Sequence, residues 1–256
     1  MAFDSAALLD WYARVRRPLP WRATRDPYAL LVSEVMLQQT QAARVVPYFE
    51  RFLTRFPDAG TLAAAPARDV LAVWSGLGYN RRALALQAAA RHVAEHGWPD
   101  DLTALPGVGP YTAAAVGSFA WDRQEPAIDT NVRRVLERFD GRPRRPRELD
   151  ERVRRLIPLG EAAAFNQAMM ELGATVCRPR APRCHECPVR VGCAGGTVTP
   201  RRRGAERFED SDRFARGRVV AALVNGEPPP DVDDRILAGL ERDGLIVRSA
   251  DGPQLP

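Results

Sequence analysis

The sequence contains no lysine, because all 37 of its basic residues are arginines. No side-chain amine is therefore available to form a covalent imine with a substrate, and only the N-terminal amine could do so. The chain also lacks an apolar run long enough to cross a membrane, and its start does not resemble a secretory leader. These absences predict a cytoplasmic protein without membrane contact.

What is present predicts a globular protein with a polyanionic partner. The 256 residues are 45% hydrophobic and 27% charged, and their length predicts two domains with room for a small third. A net charge of +5 and a pI near 9.4 favour a negatively charged partner. Arginine suits phosphate especially well, because its guanidinium binds phosphate oxygens in pairs.

Apolar residues recur at helical spacing from the N-terminus to about residue 195, and proline and glycine mark the breaks between these segments. We therefore predict an all-α fold. Residues 196–215 have the composition of a solvated linker. Two helical patterns and a possible strand, "LIVRS", follow in residues 216–256. That order predicts a small winged-helix-like unit or, equally, a plain helical cap.

All four cysteines lie in one short segment with the spacing C-x6-C-x2-C-x5-C: Cys177, Cys184, Cys187 and Cys193. In a cytosolic protein such a group more often holds a metal than forms disulfides. Four thiolates suit either zinc or an iron–sulfur cluster. The spacing departs from the paired C-x2-C of zinc ribbons, which modestly favours the cluster.

The segment "LPGVGPYTAAAV" predicts two helices joined by a turn with two glycines. Gly107 and Gly109 permit a positive φ and a close backbone approach, and they leave N–H groups free at the start of the second helix. Such a helix start can hold a phosphate. Alone this signal is weak, because any helical connection can contain two glycines.

Together these motifs resemble the helix-hairpin-helix DNA glycosylase superfamily whose members carry a [4Fe–4S] cluster. The likeness rests on "LPGVGPYTA", then "AIDTNVRRVLER", then the four cysteines, in that order and spacing. Further segments are similar to adenine glycosylases of the MutY type, which remove adenine mispaired with 8-oxoguanine: "LPWR", "SEVMLQQTQ", "VVPYFERF", "GLGYNRRA" and "FNQAMMELGA". The long C-terminal domain that usually helps this family to read 8-oxoguanine is not visible.

The resemblance implies a two-domain all-α glycosylase fold. A six-helix domain with the hairpin would span residues 22–130, and a cluster domain would combine residues 1–21 and 131–195. It also implies one [4Fe–4S] cluster on the four cysteines, and Gly107 and Gly109 against the DNA backbone. The partner would be double-stranded DNA with a mispaired base. The protein would act as a monomer, nucleoid-associated in a bacterium or archaeon.

Glu34 is the predicted general acid. Helical spacing places Leu30, Leu31 and Leu37 beside it, and a carboxyl among leucines should have a raised pKa. From composition alone, a solvated surface glutamate is the commoner interpretation. The resemblance reverses this, because Glu34 aligns with the acid that protonates adenine and later activates water.

Asp129 precedes a helical segment and suits an N-cap. The resemblance adds a second role, in which Asp129 stabilises the cationic sugar or bonds to it while Asn131 supports the site. Tyr111 occupies the position at which bifunctional relatives have an attacking lysine. Tyrosine at this position and the lack of lysine agree with base removal without strand cleavage.

The remaining predicted site residues follow from the same resemblance. Four of them match positions around the extruded base: Trp21, Arg22, Leu37 and Gln167. The amide of Gln167 can pair with the edge of adenine. Gln39 and Tyr79 match residues that wedge into the duplex beside the mispair, although Tyr79 could instead serve simple packing.

Two other functions stay open at this point. A thymine or uracil glycosylase for G mispairs shares the tyrosine and also lacks the long C-terminal domain, whereas Glu34 and Gln167 favour adenine. A non-catalytic iron–sulfur DNA-binding protein would be expected to lack Glu34 or Asp129, and both residues are present.

Overall fold

The structure, a computed structural model, describes residues 2–196, 209, 211–249 and 252–256. Within those residues the chain forms α-helices, short 3-10 turns and one two-stranded antiparallel hairpin. The predicted all-α class is therefore confirmed. Among the described helices, none is both long and apolar enough to cross a bilayer.

The helices are, in chain order, α1 (Ser5–Val15), α2 (Pro27–Leu37), α3 (Ala42–Arg55), α4 (Ala59–Ala64), α5 (Ala67–Trp74), α6 (Arg81–His96), α7 (Pro110–Trp121), α8 (Thr130–Asp140), α9 (Pro146–Arg154), α10 (Ala162–Thr175), α11 (Asp212–Asn225) and α12 (Asp234–Arg242). Short 3-10 turns cover Pro20–Arg22, Leu102–Ala104 and Cys184–Glu186. The hairpin pairs β1 (Val247–Ser249) with β2 (Gly252–Gln254).

The chain divides into two compact units. The first comprises Met1–Leu30 and Gly109–Arg203, and the second comprises Leu31–Val108 and Gly204–Pro256. These boundaries differ from the 22–130 domain proposed above, because α7 packs against α10 and so belongs to the first unit. The C-terminal segment groups with the second unit. The assignment of a six-helix domain and a cluster domain stays a prediction.

Helix α10 forms the centre of the first unit, where it packs against α1, α7 and α8. Its apolar residues Phe165, Met169 and Leu172 recur at helical spacing and are completely buried. They belong to one hydrophobic core with Val132 and Leu136 of α8. This packing fixes the start of α8 and the middle of α10, where several predicted site residues lie.

In the second unit α6 packs against α4 and α5, while α5 also contacts α3 and α11. Aromatic side chains fill the space between α3 and α5. The ring of Phe52 meets those of Phe56 and Trp74 edge to face, with centroids 5.1 Å and 6.0 Å away. All three side chains are completely buried. The unit therefore has an aromatic core of its own.

The C-terminal segment consists of α11, α12 and the β1–β2 hairpin. This order matches the winged-helix alternative more closely than a plain helical cap. Of the predicted linker 196–215, residues 197–208 and 210 lie outside the described part of the chain. Helix α11 begins inside that predicted linker, at Asp212, because Ser211 caps it by accepting a hydrogen bond from the Phe214 N–H.

The turn before α7 depends on one glycine rather than on two. Gly107 has a φ of +76°, and a Cβ there would lie 2.7 Å from the Cβ of Ala85 on α6. Gly109 instead adopts an extended φ of −90° as the N-cap of α7, with nothing near its missing Cβ. Of the two glycines, only Gly107 therefore adopts a positive φ, and the contact of Gly109 with a DNA backbone stays a prediction.

Candidate active site

Glu34 lies in the middle of α2 and is only 5% exposed. Every residue from 28 to 36 is buried, so this helix is enclosed on all sides and not on one face alone. The adjacent Ser33 is completely buried as well. Leu37, the last residue of the helix, is half-buried. The expected burial of the Glu34 carboxyl is thus observed, and it holds this group away from bulk water.

Asp129 is the N-cap of α8, as its sequence context predicts. Its Oδ1 accepts hydrogen bonds from the backbone N–H groups of Asn131 and Val132, at 2.8 and 2.7 Å. Its Oδ2 accepts a third bond from the Asn131 Nδ2 at 2.6 Å. Burial raises the pKa of Asp129 above its ordinary value, although these bonds and the charge of Arg134 act in the opposite direction. The carboxylate is therefore held rigidly in one orientation.

Arg134 supports Asn131 from the same face of α8 and was missed by sequence reasoning. Its Nη2 donates to the Asn131 Oδ1 at 2.8 Å and to the Gly173 carbonyl at 2.7 Å, while its Nε donates to the Cys177 carbonyl at 2.9 Å. A Cβ on Gly173 would lie 2.5 Å from the Asn131 Cβ. The spacing of three residues between Asn131 and Arg134 is the available sequence signal.

Three predicted base-recognition residues lie in the first unit. Trp21 is buried in the turn before α2, and Arg22 follows it. Gln167 lies on α10, where its Oε1 accepts a hydrogen bond of 2.6 Å from the Tyr12 hydroxyl. The Arg22 guanidinium carbon lies 5.5 Å from the centre of the Tyr12 ring. Tyr12 therefore contacts both polar members of the set.

Glu171, one turn after Gln167 on α10, binds Arg22 of this group and the neighbouring Arg17. The sequence motifs did not predict this role. The Glu171 carboxylate is almost completely buried and accepts from Arg17 and Arg22, each at 2.7 Å. Burial alone would raise the pKa of Glu171, but the hydrogen bonds and charges of the two arginines outweigh it and lower the pKa. A glutamate on a helix gives no local sign of this pairing, because both arginines lie about 150 positions earlier.

We expect Glu171→Gln to lower the free energy of unfolding by about 3 kcal/mol at neutral pH, because it leaves the largely buried Arg22 guanidinium and the more exposed Arg17 guanidinium without their carboxylate. The pKa of Glu171 is lower in the folded state, so its stabilisation is complete above the ordinary glutamate pKa and disappears as pH falls through the folded-state value. Urea titrations at several pH values test this. Exposed Glu161 provides the control, since Glu161→Gln should change stability by less than about 0.5 kcal/mol. Equal stability of Glu171→Gln and wild type at neutral pH would contradict the expectation.

Tyr111 lies in the first turn of α7 and is half-buried. It packs at the edge of a small core that includes Phe119 and Ala115, and its hydroxyl is 4.0 Å from the Met170 sulfur on α10. Its surroundings are therefore largely apolar.

Gln39 and Tyr79 lie on two loops of the second unit that share one anchor, Arg82. The Nη1 of Arg82 donates to the Gln38 carbonyl at 2.6 Å, and its Nη2 donates to the Gly78 carbonyl at 3.0 Å. Burial lowers the pKa of Arg82 to about 10. Gln39 and Tyr79 follow these two carbonyls, both have left-handed backbones, and both side chains are exposed. The two predicted wedge residues are thus held by the same side chain.

The four cysteines share one loop after α10. Cys184 is exposed, and Cys177, Cys187 and Cys193 are half-buried. Burial raises the pKa of the Cys187 thiol to about 11, and electrostatic interactions with the other three thiols act in the same direction. Cys177, Cys187 and Cys193 pack against the hydrophobic core of the first unit. In the described part of the chain, no three His, Cys, Asp or Glu side chains are already arranged as a metal site.

Arg138 of α8 is in direct contact with one of these thiols. Its Nη1 donates to the Cys177 Sγ at 3.1 Å and to the Arg178 carbonyl at 3.0 Å. Its own carbonyl lies 3.8 Å from the Cys193 Sγ. A buried guanidinium therefore places positive charge directly beside one of the four sulfurs.

The predicted residues fall into two groups. The first unit contains Asp129, Asn131, Tyr111, Trp21, Arg22, Gln167, Gly109 and the four cysteines. The second unit contains Glu34, Leu37, Gln39, Tyr79 and Gly107. Within the first group, Asp129 and Asn131 are directly hydrogen-bonded. Within the second group, Arg82 binds both of the loops that carry Gln39 and Tyr79.

Comparison with known proteins gives the family. The model for the HhH-GPD superfamily base excision DNA repair protein matches residues 32–159. An adenine DNA glycosylase of Mycolicibacterium smegmatis is 39% identical over 98% of this chain and 95% of its own length. One from Mycobacterium tuberculosis strain H37Rv is 41% identical over 96% of this chain and 90% of its own. The Homo sapiens protein of that name is 37% identical over 89% of this chain, which covers 43% of that protein.

Solved structures agree with this assignment. A thermostable thymine-DNA glycosylase superimposes with a TM-score of 0.69 and 30% identity over 74% of this chain and 93% of that one. A non-covalent complex of endonuclease III with DNA gives a TM-score of 0.65 at 24% identity, over 75% of this chain and 92% of that one, which shows the fold. The chain belongs to the HhH-GPD superfamily of base excision DNA repair proteins, and within it to the adenine DNA glycosylases.

Proposed function

We propose that this protein hydrolyses the N-glycosidic bond of adenine mispaired with 8-oxoguanine or guanine, without cutting the DNA strand. The observation that carries the proposal is a pair of carboxyl groups with contrasting surroundings. Glu34 is buried in a helix enclosed on all sides, and Asp129 is held by three N–H donors at a helix start. Two such groups suit glycoside hydrolysis, in which one acts as the acid and the other supports the sugar.

Glu34 supplies the proton for the departing base. The reaction breaks the bond between the sugar C1′ and adenine N9, and the leaving purine needs a proton on a ring nitrogen. A carboxyl that is 5% exposed can deliver this proton without competition from bulk water. After transfer, the Glu34 carboxylate can accept a proton from the water that adds to the sugar. The products are free adenine and an abasic site.

Asp129 stabilises the positive charge that develops on the sugar. Its three hydrogen bonds fix the carboxylate before the substrate arrives, so little reorganisation is required during the reaction. The N-cap role and the electrostatic role are compatible, because a carboxylate oxygen has lone pairs beyond those that accept the backbone N–H groups. Asn131 acts as a positioning residue through its bond to the Asp129 Oδ2.

Gln167 and Arg22 recognise the extruded base. The Tyr12 hydroxyl donates to the Gln167 Oε1, which leaves the amide nitrogen to donate to a ring nitrogen of adenine. Glu171 holds the Arg22 guanidinium in place through a bond of 2.7 Å. Trp21 and Leu37 add apolar contact for the flat purine.

The absence of strand cleavage rests on the absence of a side-chain amine. The chain has no lysine, and Tyr111 occupies the position from which relatives with lyase activity attack the sugar. The phenol of Tyr111 lies beside the Met170 sulfur and has no nitrogen with which to form an imine. The sugar is therefore attacked by water and not by a protein amine.

Duplex DNA is the partner that the charge pattern and the hairpin support. The net charge is +5, and Gly107 gives the turn before α7 a tight, left-handed conformation that exposes backbone N–H groups to a phosphate. Gln39 and Tyr79, on loops held by Arg82, enter the duplex beside the mispair and fill the space of the flipped base.

The four cysteines hold one [4Fe–4S] cluster. The chemistry of the donor set fits, because it consists of four thiols on one loop, with the Arg138 guanidinium 3.1 Å from the Cys177 sulfur. Cys177, Cys184, Cys187 and Cys193 would hold the iron atoms and so crosslink the loop after α10. Within this chain, the part of Arg138 is to offset the negative charge of the ligated sulfurs.

Single-turnover excision on four matched duplexes tests the proposal. They carry A opposite 8-oxoguanine, A opposite G, T opposite G and U opposite G, and alkali treatment reveals abasic sites. We expect cleavage only in the adenine strands and only after alkali. The likeness to a thymine-DNA glycosylase makes the T strand the informative competitor. Cleavage of the T or U strand would support the mismatch alternative, cleavage without alkali would contradict the lack of lyase activity, and intact strands throughout would favour a non-catalytic protein.

A further inference from the structure

The second unit contains a cavity of about 800 Å³ that the C-terminal segment helps to line. Gln39, Tyr79 and Gly107 line it from the body of the unit, and Arg213 and Leu240 line it from α11 and α12. The C-terminal segment is therefore in contact with the loops that carry the two proposed wedge residues.

Arg213 of α11 makes the most specific of these contacts, with Tyr79. Its Nη1 donates to the Tyr79 hydroxyl at 2.8 Å, and its guanidinium carbon lies 4.4 Å from the centre of the ring. The guanidinium of Arg82 lies 5.4 Å from the same ring. The phenol is nevertheless 40% exposed, so part of its surface stays available to a ligand.

The backbone at Tyr79 requires such support. Tyr79 has a φ of +50°, an unfavourable conformation for a bulky residue, and it follows two glycines with positive φ, Gly76 and Gly78. The Gly78 carbonyl accepts hydrogen bonds from Arg82 and from the Trp74 indole. Arg82 and Trp74 thus hold the backbone next to Tyr79, and Arg213 holds the Tyr79 side chain.

Two other arginines that line the cavity, Arg216 and Arg81, have a different partner, Asp243. Arg216 pairs with Asp243 of the same segment, and Arg81 lies 3.6 Å from that carboxylate. Arg213 is instead directed to the neutral hydroxyl and the face of Tyr79. Since a stacked guanidinium restricts ring rotation, the contact suits a positioning role.

We propose that Arg213 is a positioning residue that holds the ring of Tyr79 ready for insertion into DNA, so that the C-terminal segment takes part in mispair recognition. This inference rests on the proposed function, in which Tyr79 is a wedge. The sequence motifs had predicted no role for this C-terminal segment. Arg213 acts through Tyr79 and touches neither the sugar nor the extruded base.

A double-mutant cycle tests the proposal with Arg213→Ala, Tyr79→Ala and the double variant of the full chain. The measurements are single-turnover excision from A opposite 8-oxoguanine and equilibrium binding over a salt series. We expect Arg213→Ala to reduce excision about tenfold in the wild-type background and to cause no further loss when Tyr79 is already alanine. Arg213→Lys should restore activity only in part, because an ammonium lacks the flat face that stacks on the ring.

Arg235→Ala is the matched control, because Arg235 belongs to the same segment but pairs with exposed Asp212 at 2.9 Å. It should excise adenine at the wild-type rate. Equal losses from Arg213→Ala in both backgrounds, with a salt slope reduced by about one, would overturn the proposal and make Arg213 a phosphate contact. Wild-type activity of Arg213→Ala, or a loss explained by a lower melting temperature alone, would also overturn it.

Failure of the inference is distinguishable from failure of the proposed function. If wild-type protein leaves adenine in all duplexes, the glycosylase assignment itself fails. If wild-type protein is active and Tyr79→Ala is equally active, the wedge role and the positioning role both fail while the glycosylase assignment stands. Loss of activity in Tyr79→Ala together with the expected coupling supports both roles.

Discussion

Glu34→Gln should lower the single-turnover rate of adenine excision by about 10²–10⁴-fold, because it removes the proposed general acid while keeping the shape of the side chain. Mispair binding should stay close to that of wild type, since the variant removes no positive charge. The fold should also tolerate the change, because glutamine has the size of the glutamate side chain and can still form hydrogen bonds. Rates with excess enzyme and binding by fluorescence anisotropy provide the two measurements.

Glu50→Gln gives a matched control for this experiment. Glu50 is an exposed carboxylate on α3 of the same unit, so Glu50→Gln makes the same substitution at the surface and leaves the buried site intact. We expect Glu50→Gln to excise adenine at the wild-type rate. Full activity of Glu34→Gln would overturn the assignment of Glu34 as the general acid. Equal losses of activity in both variants would overturn it too, because the loss would then not be specific to Glu34.

Asp129→Asn should reduce excision by at least about 100-fold while lowering the free energy of unfolding by only about 1–3 kcal/mol. The amide keeps an oxygen that can cap α8, but its nitrogen faces the Asn131 Nδ2, and two donors then oppose each other where a bond of 2.6 Å existed. The larger effect comes from the loss of negative charge beneath the sugar. Excision rates and urea denaturation of the same preparations separate the two effects.

Asp58→Asn is the corresponding control, because Asp58 caps α4 by accepting from the Thr61 N–H at 2.7 Å and is exposed. It should leave excision unchanged. If Asp129→Asn lowers stability but keeps full activity, capping is the sole role of Asp129. The pH profile adds a further check: burial raises the pKa of Asp129, so excision should decline on acidification at a higher pH than an exposed aspartate would dictate.

Features encoded by local sequence were predictable, and α1 illustrates this. Its apolar spacing and a capping Asp4, which accepts from the Ala7 N–H at 2.9 Å, are both visible within a dozen residues. The end of α2 was not predictable in the same way. The helical pattern continues toward residue 40, yet the helix ends at Leu37. Arg82, more than 40 positions later, binds the carbonyls of Val35 and Gln38 at that end.

The site shows the same limit. Asp129 as a cap and the four clustered cysteines follow from local motifs. Glu171 and Arg213 do not, because their partners lie 154 and 134 positions away along the chain. In the sequence, a glutamate on a helix and an arginine within a predicted linker look like solvated residues, because their partners come near them only in the folded chain. Long-range polar pairing is therefore the part of the site that sequence patterns could not give.

Arg134 has a mechanical consequence for the first unit. One guanidinium group binds the Cys177 carbonyl and the Asn131 side chain, and Asn131 in turn binds Asp129. A displacement of the cysteine loop is therefore transmitted to the Asp129 carboxylate through a relay of three hydrogen bonds, each shorter than 3 Å. Oxidative damage to that loop would therefore shift the position of the Asp129 carboxylate without changing the carboxylate itself.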